Sequence, residues 1–178
     1  MTFEEASLPG AYVIGLERRE DDRGFFARTF CVHEFADRGL ETGLVQANMS
    51  WNPKQGTLRG MHFQRPPHAE VKVIRATHGA IYDVIIDLRE DSPTFKRWFG
   101  VELTEENRAA LYVPEGFAHG FQTLVPDTEV HYLVTEFYTP DAEGGVRWDD
   151  PAFRIEWPDA PAGRVMTDRD RDYPDFKG

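Results

Sequence analysis

The sequence predicts an all-β protein, a jelly roll or β-sandwich with one or two short peripheral helices, and three observations support this. Short runs rich in Val, Ile, Phe, Tyr and Trp recur along the 178 residues, separated by Gly, Pro, Asp and Asn. Apolar residues almost nowhere keep helical spacing for three turns. Roughly nine or ten strands with turns between them favour stacked antiparallel sheets over alternating strands and helices.

The predicted elements begin near the N-terminus. The apolar run at 11–16 predicts a first strand, the residues at 21–24 a turn, and the aromatic run at 25–32 a second strand. A short helix is predicted at 33–38, where Gly39 ends it.

The rest of the chain continues the β pattern. A second short helix is predicted near 105–108. Further strands are predicted at 44–50, 57–64, 71–76, 80–88, 98–103, 111–113, 119–125 and 129–138. From Asp149 the chain is rich in Pro, Asp and Arg, and residues 167–178 could simply be a solvated tail.

Composition and charge limit the class of protein. With 40% hydrophobic and 13% aromatic residues, the chain suffices for one core, so a single domain over 1–178 is expected. The net charge of -11 argues against nucleic-acid and anionic-membrane partners, although local cations could hold a small phosphorylated ligand. Cys31 is the only cysteine, so neither an intramolecular disulfide nor a thiolate metal cage is expected. Glu4 and Glu5 stand where a signal peptide would be basic, and no apolar run has membrane length, so we expect a cytoplasmic protein.

The stretch 56–72 carries the first candidate site. It places His62 between two cations, Arg59 and Lys72. A base near positive charge suits removal of a proton from carbon beside a carbonyl, because the charge left on oxygen must be stabilised. A lone histidine among apolar neighbours is also typical of a hydrogen-bonded strand residue, and both interpretations stay open.

Strand geometry constrains these side chains. Arg59 and His62 are three residues apart, so in a regular strand their side chains would point to opposite faces of the sheet. Both reach one cavity only if the strand is broken between them, and Gly60 would tolerate a bulge there. Lys72 shares a strand face with Ile74, which is expected to be apolar. Burying the lysine charge there costs free energy unless the ammonium contacts an anion or the side chain extends to solvent at the edge of the sheet.

A metal site is one alternative for the histidines. His119 follows a Pro- and Gly-containing turn and could join His62 around a divalent ion. The position two residues after His62 is Gln64, and Glu70 is the only other plausible partner, so no catalytic metal is expected.

Two tyrosines supply the remaining candidates. Tyr132 and Tyr138 are six residues apart on one predicted strand and would share a face. They could be core aromatics, or one hydroxyl could supply a proton from the side opposite His62 while the other ring stacks on a flat ligand. A base and an acid on opposite faces are the minimum needed to invert a carbon centre.

These residues lie within longer motifs that resemble one family over nearly the whole chain, the cupin-type sugar-nucleotide epimerases of the dTDP-4-dehydrorhamnose 3,5-epimerase family. The matching stretches are DRGFF (22–26), QANMS (46–50), GTLRGMHFQ (56–64), VKVIRATHGAIYDVIIDLR (71–89), SPTF (92–95), PEGFAHGF (114–121), RWDDP (147–151), IEWP (155–158) and TDRD (167–170). Several are long, and all occur in the right order.

The resemblance implies a metal-free, cofactor-free cupin-like jelly roll that epimerises a nucleoside-diphosphate 4-keto-6-deoxy sugar beside its ketone. His62 matches the base, Asp170 the carboxylate that orients it, Lys72 the cation at the sugar ketone, Tyr132 the proton donor and Tyr138 the ring that stacks on the nucleobase. The other residues expected to bind substrate are Arg23, Phe26, Arg28, Gln46, Asn48, Arg59, His119, Glu143 and Arg169. A homodimer is implied, often with an N-terminal segment contributed to the partner subunit.

The chain departs from the family pattern at three points. Arg28 stands where a glutamate is common, Leu133 where a lysine is common, and the interval from Gln46 to Arg59 is one residue longer than expected. The nucleotide and the choice between single and double epimerisation therefore stay open. A non-catalytic sugar-nucleotide-binding cupin and a metal cupin, such as a sugar-phosphate isomerase or a dioxygenase, are the alternatives.

Overall fold

The computed structural model describes residues 1–177. The strands are β1 (Thr2–Glu5), β2 (Tyr12–Gly15), β3 (Arg19–Asp21), β4 (Gly24–Phe26), β5 (Gln46–Asn52), β6 (Leu58–Gln64), β7 (Lys72–His78), β8 (Ala80–Asp87), β9 (Trp98–Thr104), β10 (Ala110–Val113), β11 (Phe117–Thr123), β12 (Thr128–Val134) and β13 (Glu143–Gly145). The helices are α1 (Val32–Ala36), α2 (Asp168–Arg171) and a 3-10 turn at Pro140–Ala142. Neither α-helix in this part of the chain has the length and apolar content to cross a bilayer.

The strands form two sheets and a separate hairpin. One sheet has the order β1-β2-β10-β7-β12-β5, the other β13-β6-β11-β8-β9, and β3 pairs only with β4. The main core lies between the two sheets, where Ile74 and Val130 from the first meet Ile85 and Phe121 from the second. Every one of these side chains is nearly inaccessible to water. The prediction of an all-β jelly roll or sandwich with short peripheral helices is confirmed.

The outer face of the five-stranded sheet is covered by the C-terminal part of the chain. Phe153 is buried, and Trp157 and Phe176 pack against the same cluster as Val84 and Ile86 of β8. The interpretation of residues 167–178 as a solvated tail is wrong at Asp170, which is buried, and at Phe176, which packs on apolar surface of the sheet.

Most predicted strands match to within a few residues, but the second strand does not. The prediction placed it at 25–32, whereas β4 ends at Phe26 and α1 begins at Val32. The β3–β4 hairpin has no third strand beside it, and its residues are exposed, so nothing extends the ladder beyond Phe26.

The predicted helix near 105–108 is a turn. The Thr104 hydroxyl accepts hydrogen bonds from the backbone N–H of Glu106 and Asn107, and the Asn107 carbonyl oxygen accepts from Thr104 and Ala109. Only one helical hydrogen bond forms in this segment, from the Arg108 N–H to the Thr104 carbonyl, and Arg108 with φ +53° ends the turn.

The predicted strand at 129–138 ends four residues early, at Val134. The Gln64 side chain bonds the backbone at Phe137 and Thr139, which holds this segment in a loop. Tyr138 therefore does not lie on the strand of Tyr132. The short strands β1, β3 and β13 were not predicted from the sequence.

Candidate active site

Two adjoining cavities of about 380 and 430 Å³ have His62, Lys72 and Tyr132 in common. His62 belongs to β6 of the five-stranded sheet, whereas Lys72 and Tyr132 belong to β7 and β12 of the six-stranded sheet. The candidate base and the candidate acid thus reach one space from opposite layers. Cavities of this size suit a small-molecule ligand.

A bulge brings Arg59 and His62 into the same cavity. His119 of β11 lies opposite His62, and Phe121 lies opposite Arg59, so two steps on β11 span three on β6. Gly60 has φ +127°, and a Cβ there would lie 2.5 Å from the Cα of Gly120. Only glycine fits at this position, and the predicted break between Arg59 and His62 is confirmed.

His62 is paired with a buried carboxylate. Its Nε2 donates to Asp170 Oδ1 at 2.8 Å, and Asp170 is only 3% exposed. The Gly60 N–H donates to the other carboxylate oxygen at 3.3 Å, and the Thr167 hydroxyl caps α2 by accepting from the Asp170 N–H. Burial alone would raise the pKa of Asp170, but the hydrogen bond and charge of His62 and the other nearby donors hold it below its usual value. An ionised Asp170 fixes the tautomer and leaves Nδ1 of His62 as the basic atom.

Lys72 meets an anion, as its position on an inward face requires. Its ammonium lies 3.1 Å from Glu70 Oε1, and the two side chains are 13% and 12% exposed. Both residues line the cavity beside Tyr132. The pair keeps a positive group inside the cavity without leaving a buried charge unpaired.

Tyr132 is partly buried and stays protonated at neutral pH. Burial raises the pKa of its hydroxyl, the positive charge of Arg59 lowers it, and the negative charge of Glu70 raises it again. The net direction is upward, so the phenol retains its proton and can act as a donor.

A second group of polar side chains extends the cavity. The Tyr138 hydroxyl donates to Glu143 Oε2 at 2.9 Å, and Arg169 Nη1 donates to the same oxygen at 2.8 Å. Gln46 accepts from the backbone N–H of Tyr138 at 3.0 Å, while Asn48 lines the same wall. The Tyr138 ring is 60% exposed, so its face is open to a stacked ligand.

His119 lies beside His62 and has its own carboxylate. Its Nε2 donates to Asp83 Oδ1 at 2.7 Å, and Asp83 is fully buried. Gln64, the residue that the metal interpretation would need as a ligand, donates to backbone carbonyl groups instead. Within residues 1–177, no three His, Cys, Asp or Glu side chains converge as they would around a metal ion.

Three predicted substrate residues lie elsewhere in the single chain. Arg23 is bound to Asp21 at the tip of the β3–β4 hairpin, at 2.6 Å. Phe26 is 70% exposed, and Arg28 pairs with Glu34 at 3.0 Å. Their role in binding substrate stays a prediction.

Several residues that line the site were not predicted from the sequence. Ser50, Phe121 and Thr167 line the cavity, and the Tyr173 ring lies edge-on to the His62 ring at 6.3 Å. Ser50 had a signal, because it continues the alternate positions 46 and 48 of one strand. No pattern in the sequence indicates Tyr173.

The fold and the site together define a class of protein, a cupin-like β-sandwich whose central cavity is lined by a candidate base and a candidate acid. Comparison with known proteins identifies the family. The sequence profile described as dTDP-4-dehydrorhamnose 3,5-epimerase matches residues 5–178. The enzyme of that name from Sinorhizobium fredii is 41% identical over 174 residues, which cover 98% of this chain and 89% of the relative.

Solved structures of similar sequence belong to epimerases as well. The Bacillus anthracis dTDP-4-dehydrorhamnose 3,5-epimerase with TDP and PPi bound is 43% identical, with a TM-score of 0.93 and coverage of 98% of this chain and 99% of that one. A 3'-monoepimerase from Streptomyces bikiniensis in complex with dTDP-quinovose is 32% identical, with a TM-score of 0.88 and coverage of 96% and 85%. This chain belongs to the dTDP-4-dehydrorhamnose 3,5-epimerase family and is an isomerase.

Proposed function

We propose that this chain epimerises a dTDP-linked 4-keto-6-deoxyhexose at C3 and C5, by removing a proton from one face of each carbon and returning one to the other. The observation that carries the proposal is that His62 and Tyr132 line one cavity from opposite sheets. Both carbons lie beside the ketone, so each carbanion is stabilised as the same kind of enolate.

His62, held by Asp170, is the base that removes the proton. Lys72 stabilises the negative oxygen of the enolate, an effect of about 3 kcal/mol for one well-placed donor. Tyr132 delivers a proton to the opposite face. No electrons are transferred in this sequence, so it requires no redox cofactor.

The nucleotide is assigned to the cations and the exposed ring around the cavity. Arg59 and Arg169 line its wall and suit a diphosphate, because guanidinium groups bind phosphate oxygens in pairs. Tyr138 offers an exposed face on which a nucleobase can stack. The relatives with bound TDP and dTDP-quinovose support a thymidine nucleotide.

We also propose that the enzyme is a homodimer in which the β3–β4 hairpin completes the cavity of the partner. Arg23 and Phe26 lie on this hairpin, and neither lines the cavity of its own chain. The edge strand β5 exposes Met49 and Trp51, at 64% and 60%, and such a strand suits pairing with a second copy. The cytoplasmic location stays a prediction.

Solvent exchange tests the reaction directly. The chain is incubated in heavy water with the dTDP, CDP, UDP and GDP forms of the 4-keto-6-deoxy sugar, and NMR locates the deuterium. We expect deuterium at C3 and C5 of the dTDP form, and none with His62→Ala. Binding without exchange at several pH values would instead support a sugar-nucleotide-binding protein without turnover.

Epimerisation at one carbon is the second candidate. The similarity to a 3'-monoepimerase and the unusual residues Arg28 and Leu133 favour it. Deuterium at only one of the two carbons after prolonged incubation would identify it.

A further inference from the structure

Arg59 differs from Lys72 and Arg169, the other cations of the cavity, in having no anionic partner among the described residues. Lys72 is paired with Glu70 at 3.1 Å, and Arg169 with Glu143 at 2.8 Å. Within residues 1–177, Arg59 makes no ion pair, and its only side-chain hydrogen bond uses Nε. Both terminal nitrogens of Arg59 are therefore free to bind a ligand, and no carboxylate of the described chain compensates the positive charge of the guanidinium.

A buried amide holds this guanidinium. Asn52, at the end of β5, is 0% exposed, and its Oδ1 accepts from Arg59 Nε at 2.8 Å. Its Nδ2 donates to the Thr128 carbonyl at 3.1 Å and lies 3.4 Å from the hydroxyl of Ser50. The amide has one orientation that satisfies both neighbours, because its oxygen must face the Arg59 donor and its nitrogen the carbonyl.

The geometry points to Asn52 as a positioning residue that aims the Arg59 guanidinium at the diphosphate of the ligand without neutralising it. An aspartate would form the same hydrogen bond, but its charge would compete with the phosphate oxygens for the guanidinium. A neutral amide orients the cation and leaves its charge for the ligand. This inference rests on the proposed function, in which Arg59 binds the diphosphate.

The fold contains a matched control for this arrangement. Gln122 is 1% exposed, and its Oε1 accepts from Arg164 Nε at 2.9 Å while its Nε2 donates to the Pro158 carbonyl at 3.0 Å. The chemistry is the same as that of Asn52, but neither Gln122 nor Arg164 lines the cavity. Substitutions of Gln122 therefore report the cost of losing a buried amide alone.

Calorimetric titration with dTDP tests the inference. We expect Asn52→Asp and Asn52→Ala each to weaken dTDP binding by about tenfold, the effect of one charge-assisted contact, with Gln122→Glu and Gln122→Ala near the wild type. In a double-substitution cycle, Arg59→Ala should make the loss from Asn52→Ala disappear, because both remove the same contact. A thermal unfolding transition shows whether each variant is folded. If Asn52→Ala does not fold, the isosteric variant Asn52→Asp still tests the inference.

The inference would be overturned by wild-type dTDP affinity in Asn52→Asp, or by losses from Asn52→Ala and Arg59→Ala that simply add. A wild-type chain without any affinity for dTDP would overturn it as well. The proposed reaction is judged separately, by deuterium exchange in the wild type. If the wild type exchanges deuterium and Asn52→Asp binds dTDP as tightly as the wild type, the epimerase proposal stands and only the role of Asn52 is removed.

Discussion

His62 and His119 occupy opposed positions on the neighbouring strands β6 and β11, and each donates a hydrogen bond to a different buried aspartate. Asp170 comes from the C-terminal helix, whereas Asp83 comes from the next strand of the same sheet. The two histidines look alike in the sequence, but only His62 is held by a carboxylate that the C-terminal segment supplies. We propose His62 as the base, because it lines both adjoining cavities whereas His119 lines only one, and His119 stays a predicted binding residue.

The first prediction concerns the carboxylate behind the base. Asp170→Asn should lower the rate of deuterium exchange by about 10²–10⁴-fold, because an amide does not stabilise the imidazolium that forms on proton abstraction. The comparison is Asp83→Asn, which changes the partner of His119 and should raise the KM with a smaller loss of exchange rate. Equal losses of exchange in both variants would contradict the assignment of the base to His62.

The second prediction separates the two proton transfers. Tyr132→Phe should impair completed inversion more than the first abstraction, since the phenol acts on the face opposite His62. The ratio of deuterium incorporated into recovered substrate to deuterium incorporated into inverted product compares the first abstraction with completed inversion. Equal loss of both would count against Tyr132 as the opposite-face acid.

The third prediction concerns Glu70, which pairs with Lys72 and lies near Tyr132. Burial is the main cause of the raised pKa of Tyr132, and the Glu70 charge adds to it. The phenol donates only while protonated, so removing this charge should move the alkaline limb of the rate profile to lower pH in Glu70→Gln. Glu70→Ala, which also removes the hydrogen-bond acceptor that positions the Lys72 ammonium, should lower kcat by about tenfold. An unmoved alkaline limb in both variants would show that Glu70 has no electrostatic effect on the acid.

The fourth prediction concerns stability at low pH. Burial opposes ionisation of Asp87, but hydrogen bonds from Arg89, Ser92 and Thr94 lower its pKa from 3.8 to about 2. A depressed pKa contributes stability that is complete above the unfolded value, and that is lost as pH falls from about 4 to about 2. Asp87→Asn should reduce the free energy of unfolding by about 2 kcal/mol at neutral pH and by little at pH 2. Urea unfolding across this range measures it, and a loss that does not depend on pH would contradict the ionic explanation.

The fifth prediction tests the shared cavity of the proposed dimer. His62→Ala and Arg23→Ala should each be weakly active, but their mixed dimers contain one cavity with both residues intact. After refolding a 1:1 mixture, activity should recover to about a quarter of the wild-type value, because half of the dimers are mixed. Activity equal to the average of the two variants would show that Arg23 does not act across subunits.

Much of the fold could be read from local patterns. Runs of aromatic and β-branched residues between turn residues predicted most strands, because such side chains pack well on a pleated, half-buried sheet. The errors occurred at strand ends, whose positions local contacts along the chain do not determine. Residues 25–32 and 129–138 were predicted as strands on composition, but strand ends depend on whether a neighbouring strand or a side chain such as Gln64 is present.

The site shows the same division. The break at Gly60 was predictable, because parity requires it and only glycine permits it. The hydrogen bond from Arg59 to Asn52 and the packing of Tyr173 beside His62 were not, since each joins segments whose approach is set by the folded sheets.

What the amino-acid sequence by itself determined was the β architecture and the identity of the chemical groups: a histidine, a tyrosine, a lysine and an aspartate within motifs that resemble one family. What only the tertiary structure decided was that His62 and Tyr132 come from different sheets and line the same cavity. The physical reason is that strand patterns depend on neighbours along the chain, whereas the stacking of two sheets depends on core contacts between residues far apart in sequence.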